Sequence, residues 1–289
     1  MKKENKNKDI NKEKANSKKI FIIILILVVI ILISIGIILG QTVCNNKWKE
    51  ANENYNIAYE RVLSKNEELS KLISDSENLV YSDKKALDES LKPTLETVIT
   101  ESKADIKELP KKPLFTNKIN EKVEELNNIN YEKTINNLNE KYNSLNKSIK
   151  QYELVDKPTE AYIISCLKKV PGIVDMAAAT EENDPNGKLN KQGGYTSQVY
   201  FSCEYVNQNE VYGDTIIDKG TDAGGSIEVY TTEEDAKKRE DYLSGFDGGI
   251  LSSGSHKVIG TVLIRTSNEL TATKQKELET SIVNALTNE

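Results

Sequence analysis

Twenty consecutive residues, Ile20 to Leu39, carry no charge, and only Ser34 and Gly36 interrupt a run of large apolar side chains. At about 1.5 Å per residue a helix of that length is roughly 30 Å long, the thickness of a bilayer's hydrocarbon core. In lipid only a helix or a closed barrel satisfies its own backbone groups, so the stretch reads as a transmembrane helix anchored between Ile20, Phe21 and Leu39. Residues 1–19 hold eight lysines against Glu4, Asp9 and Glu13, a net charge of +5, whereas Lys47 and Lys49 are the nearest cations on the other side. The positive-inside rule then places this basic tail in the cytoplasm and the remaining chain outside the cell membrane. An apolar region of twenty residues is longer than a signal peptide's, and no small-residue cleavage pattern follows it, so a retained single-pass anchor is expected. Gln41-Thr42-Val43 before Cys44 does not form a lipoprotein cleavage site.

The total charge of −6 leaves −11 on residues 40–289 once the tail is set aside. An acidic ectodomain without a basic stripe argues against nucleic acid or an anionic surface as a partner, because each phosphate contact requires Lys or Arg. The membrane, an unknown envelope or protein ligand, and a second copy of the chain stay open as partners. Three cysteines are too few for a disulfide scaffold. A Cys166–Cys203 bridge is open to the pair in an oxidising exterior, with free buried thiols the simpler expectation.

Residues 44–153 contain almost no glycine and read as helical bundle or coiled-coil stalk. Trp48, Tyr55, Val62 and Leu69 recur every seven residues, with Ala51, Ala58, Leu72 and Leu79 three further on in their heptads. That is an a/d seam interrupted by Lys65. A second helix is expected around Leu87–Leu109, ended by Leu109-Pro110-Lys111-Lys112-Pro113. A third is capped by Thr116, slips phase at Asn127–Asn130, and carries a further seam in Leu138, Tyr142, Leu145 and Ile149. The helices either fold back as an intramolecular bundle or pair between chains, and the proline turn favours folding back for the last pair.

After Asp156-Lys157-Pro158 the composition changes, glycines cluster, and residues 158–289 read as an α+β head. The expected order is a helix over 159–169, a strand over 173–179, and a strand with Val199, Phe201, Cys203 and Tyr205 on one face. A short strand at 215–217, a strand at 227–230 and a helix capped by Thr231 or Thr232 follow. The last elements are a single strand over 257–266 and a helix capped by Thr271. This predicts one mostly antiparallel sheet with helices packed on it. The runs GTDAGGSIEVYTTEEDAKKREDYLSGFDGG and GSHKVIGTVLIRTSNELTATKQKELE resemble a poorly characterised extracytoplasmic α+β module of anchored proteins and lipoproteins in Gram-positive bacteria. The resemblance covers residues 159–287 and implies location and fold class, with no catalytic residue carried over.

Three constellations carry candidate chemistry. Glu181, Glu182, Asp184 and Asn186 precede Gly187 in a loop with oxygen ligands at the spacing of a calcium site, but position 12 is Gly193 and supplies no carboxylate. His256, the single histidine, sits beside Ser252, Ser253 and Ser255, with Asp218, Asp222 and Asp247 as acids for a hydrolase triad; no Gly-x-Ser-x-Gly elbow accompanies them. Arg265 lies on a strand face, as an anion clamp or a salt bridge at the sheet's rim. The Gly193–Gly194 and Gly224–Gly225 pairs read as turns. The expectation is a non-enzymatic, surface-displayed binding protein without an obligate cofactor, an assembly protein oligomerising through its heptad seams being the alternative.

Overall fold

The computed structural model describes residues 2–249 and 254–288, with side chains from residue 20 onward. Helix α1 runs from Lys2 to Val80 and contains the whole apolar stretch. Its most apolar eighteen-residue window has a mean hydropathy of 3.7 and is wholly unburied, long and apolar enough to span a membrane. The chain forms two compact units, Met1–Lys71 with Lys103–Ile135, and Leu72–Ser102 with Asn136–Glu289.

In the first unit, the seam of α1 is covered from within the chain. Ala51, Tyr55, Ala58 and Val62 are buried against Ile119 and Leu126 of α3 (Thr116–Asn127). α3 begins without a side-chain cap, Phe115 holding the N-cap position in place of the expected Thr116. The phase slip at Asn127–Asn130 is a break between helices, since α4 starts at Glu132 and runs to Val155. α2 (Leu91–Asp105) stops four residues short of Leu109, and Pro93 sits in its first turn, where its missing N–H costs nothing. Leu69, Leu138, Leu145 and Ile149 are buried, Tyr142 is half-buried, and Trp48 is 45% exposed. Beyond Leu69 the buried stripe of α1 moves to Ile73, Ser76 and Val80, one residue out of the expected Leu72–Leu79 phase.

The second unit is organised by a five-stranded antiparallel sheet of order β1-β2-β3-β5-β4. The strands are β1 (Ile173–Ala178), β2 (Tyr195–Cys203), β3 (Gly224–Tyr230), β4 (His256–Ile259) and β5 (Val262–Thr266). α5 (Glu160–Leu167) and α8 (Ala272–Thr287) cover one face. Val199, Phe201, Cys203, Ile227, Val229, Val262 and Ile264 meet Ile163, Cys166, Leu167, Leu278, Ile282 and Leu286 there. The two cysteines are buried in this core as free thiols, so the open disulfide does not form. Burial pushes the Cys203 thiol above its ordinary pKa. Thr159, Thr232 and Thr271 cap α5, α7 (Glu233–Ser244) and α8 through their side chains, as Ser/Thr caps do.

Two expected strands are corrected. Residues 216–219 form a short helix, α6 (Ile216–Lys219), because Thr215 and Asp218 make a reciprocal capping box. The expected strand 257–266 is a hairpin, β4 and β5, whose turn places Gly260 at φ 54°. A Cβ at Gly260 would lie 2.6 Å from the Val155 carbonyl oxygen, so only glycine lets the turn meet the end of α4. There Thr261 donates to the same carbonyl from its N–H (3.0 Å) and its hydroxyl (3.1 Å). Tyr205 falls past the end of β2 and is exposed.

Candidate functional site

The second sheet face is polar and yet sealed. Strand register sets Ala177, Tyr200, Ser226, Arg265 and His256 in one transverse row, and Gln198, Glu228, Leu263 and Val258 in the next. Period-two alternation puts all of them opposite the apolar core. α7 closes one side, with Ala236 and Leu243 buried against Tyr195, Tyr230 and Leu263; Ile217 of α6 packs on Tyr200 and Ala179 at the other.

Glu228 is the hub. Its Oε1 accepts from Arg265 Nη1 at 3.1 Å and its Oε2 from the Tyr230 hydroxyl at 2.6 Å, while Arg239 Nε of α7 stands 3.4 Å from Oε2. Arg265 is therefore a buried ion-pair partner and not a rim salt bridge. One carboxylate faces two guanidinium groups here, and the charge of Asp184 at the border of the face, which also acts on Tyr200, balances the second of them. Beside this hub, both side-chain polar atoms of Gln198, the Ser226 hydroxyl and Arg265 Nε are buried and make no hydrogen bond within the protein. Desolvation of such groups without a partner costs about 1–3 kcal/mol each, which marks the face as specialised. Burial first, and then the Glu228 charge, raise the Tyr200 and Tyr230 hydroxyls far above the ordinary phenol range.

Loop 181–194 borders this face and is organised by Asp184. Its carboxylate accepts from the Tyr195 hydroxyl (2.5 Å) and from the backbone N–H groups of Lys188 (2.6 Å), Leu189 (2.9 Å) and Asn186 (3.1 Å). Asn186 Nδ2 donates to the hydroxyls of Tyr195 and Tyr200, and Glu181 accepts from Asn190. Of Glu181, Glu182, Asp184 and Asn186, expected around a calcium ion, Asp184 and Asn186 are engaged in these internal bonds. Among the described residues no group of three or more His, Cys, Asp or Glu side chains is placed to hold a metal.

His256 does meet an acid: its Nε2 lies 3.2 Å from Asp247 Oδ2. Ser255 bonds elsewhere, its Oγ at 2.7 Å from Thr266 Oγ1 and 3.3 Å from Glu279 Oε2. Ser252 and Ser253 lie outside the described residues. Asp218 is held in the α6 capping box and Asp222 offers its carbonyl to Ser267. The Gly224–Gly225 pair lies inside β3, where a Cβ on Gly225 would fall 2.3 Å from the Arg265 carbonyl oxygen and the Phe201 ring.

A second depression, of about 460 Å³, is lined by Lys84, Lys85, Tyr152, Glu153, Thr232 and Glu233 among others. Its charges are largely spent on one another, in the pairs Lys84–Glu153 and Lys85–Glu233, both 2.9 Å. Sequence reasoning missed Glu228, Gln198 and Ser226. The one available signal was polar residues alternating with Val199, Phe201, Ile227 and Val229 along strands bounded by glycine. Comparison with known proteins finds no matching family model, no matching curated sequence and no matching solved structure.

Proposed function

We propose that the chain is a single-span, surface-displayed binding protein with its N-terminus in the cytoplasm, whose α+β region takes an envelope or extracellular ligand without chemically changing it. The observation that carries this reading is the sealed polar face around Glu228, with Gln198, Ser226 and Arg265 Nε unpaired on it. A donor-rich set with two guanidinium groups suits an anionic group on a small ligand, a carboxylate above all. Arg239, with 18% of its side chain exposed, is the member nearest solvent and the first that an entering ligand meets. The assembly reading has less support, because α3 already occupies the first heptad seam.

The test is a thermal-shift screen of the full chain in lipid nanodiscs against small carboxylates, their neutral amides, calcium, cell-wall fragments and teichoic acid. A ligand at a hundred times its Kd adds about 2.7 kcal/mol, a shift of several degrees. Ser226→Ala and Gln198→Met remove unpaired polar atoms, so both variants keep or gain basal stability and lose the ligand-dependent shift. A shift that survives both variants, or no shift with any probe, overturns the reading.

A further inference from the structure

The segment that joins α2 to α3 runs along α1 toward the apolar run. Asn66 Nδ2 donates to the Lys107 carbonyl (3.0 Å), the Tyr55 hydroxyl to Pro110 (2.5 Å), Lys112 Nζ to Asn56 Oδ1 (3.1 Å), and Trp48 Nε1 to Leu114 (3.3 Å). The contact points on α1 descend from 66 to 48, and at the lowest one the chain turns back as α3. That lowest point displays Leu114 at 84% and Phe115 at 72% exposure, more than any side chain of the apolar run itself. Lys111 and Lys112 precede the pair and Lys118 follows it, all exposed.

Their height can be measured along the helix. Measured from Leu39, where the hydrocarbon core ends, seven further uncharged helical residues span about 10 Å, slightly more than one headgroup layer. Trp48 stands two residues further on, at the outer rim of that layer. A hydrogen bond to Trp48 therefore holds Leu114 at the rim of the headgroups, and two large apolar side chains bare to water become reasonable when they reach inward and lipid covers them. Lys112 donates to Asn56 and Lys118 pairs with Glu121 at 2.7 Å, so the exposed Lys111 is the ammonium group that suits a lipid phosphate.

We propose that Leu114 and Phe115 insert into the headgroup layer of the same membrane that α1 crosses, giving the first unit a second, interfacial contact with lipid. The proposal rests on the reading of α1 as a membrane span. It is tested with the full chain carrying Cys44→Ser, whose Cys166 and Cys203 are buried. Phe115→Cys, or Ile57→Cys as an exposed control nine residues beyond Trp48, then takes an environment-sensitive fluorophore. The labelled chains are reconstituted in vesicles of phosphatidylcholine and phosphatidylglycerol. Spin-labelled headgroups should quench the label at 115 about twofold or more over the label at 57, with a blue-shifted emission. Equal quenching at both sites, in a chain that stays with the vesicles through an alkaline wash, overturns the interfacial contact alone. Loss of the chain in the wash overturns the span and this proposal together. A blue shift without lipid quenching, which fades on dilution of the protein, assigns the pair to a second copy and overturns it too.

Discussion

Arg265 Nη1 lies 3.1 Å from Glu228 Oε1 across neighbouring strands, and the side chains are 9% and 0% exposed. Removing one member of a buried ion pair costs more than the pair is worth, because it strands the other charge. Glu228→Gln leaves two guanidinium groups facing a neutral amide and is expected to destabilise the fold by about 3–5 kcal/mol. The double variant Glu228→Leu with Arg265→Met should recover most of that loss. Denaturant titration of the three chains checks it, and a double variant as unstable as Glu228→Gln would show that Arg239 also depends on the carboxylate.

Loop 181–194 should respond to acid through Asp184. Burial pushes this carboxyl's pKa up, but the Tyr195 hydroxyl and three backbone N–H groups outweigh it, so the folded value lies below the ordinary one. A depressed folded pKa means that the stabilisation is complete above the unfolded value of about 3.9 and is lost as pH falls through the folded value. The protection of the Lys188 and Leu189 amides, measured against their intrinsic exchange rate at each pH, should therefore fall below about pH 4 in the native chain. Asp184→Asn should remove that pH dependence and cost about 1.5–3 kcal/mol at neutral pH, the worth of hydrogen bonds to a charge.

The β4–β5 turn should accept no side chain at residue 260. Gly260→Ala combines a left-handed backbone with a Cβ 2.6 Å from the Val155 carbonyl oxygen. The expected loss is about 1–3 kcal/mol, read as a lower melting temperature with faster exchange of the Thr261 amide. An unchanged melt would mean that the end of α4 yields more easily than its two bonds to Thr261 suggest.

Elements whose signal is local were legible in the sequence. The apolar run, the threonine caps at 232 and 271, and the alternation of Val199 and Phe201 each follow from residues within one turn or strand, although the equally local cap expected at Thr116 did not form. Where the reading slipped, two local signals competed. Thr215 to Asp218 reads as a β-branched run until the reciprocal cap is noticed, and Val258-Ile-Gly-Thr-Val262 alternates smoothly through a turn that only glycine permits. The polar face was not legible because it is a product of register. Glu228, Arg265 and Gln198 are far apart in the chain, and only the pairing of β2, β3 and β5 brings them together. Strand alternation alone assigns such residues to solvent, and it carries no information about what packs on the second face. The internal bonding of the acidic loop was hidden for a related reason, since Tyr195 and Tyr200, which draw on Asp184 and Asn186, belong to a strand outside the motif.

The double acceptance at the Val155 carbonyl bears on how this sequence can be inherited in pieces. A recombination event that cut at Lys157–Pro158, where composition changes, would carry off the sheet but leave its β4–β5 turn without the helix end it bonds to. A transplanted copy would arrive with Thr261 unpaired and Gly260 facing an empty notch. A piece of this chain moved intact would therefore have to include the closing turns of α4, upstream of the visible compositional change.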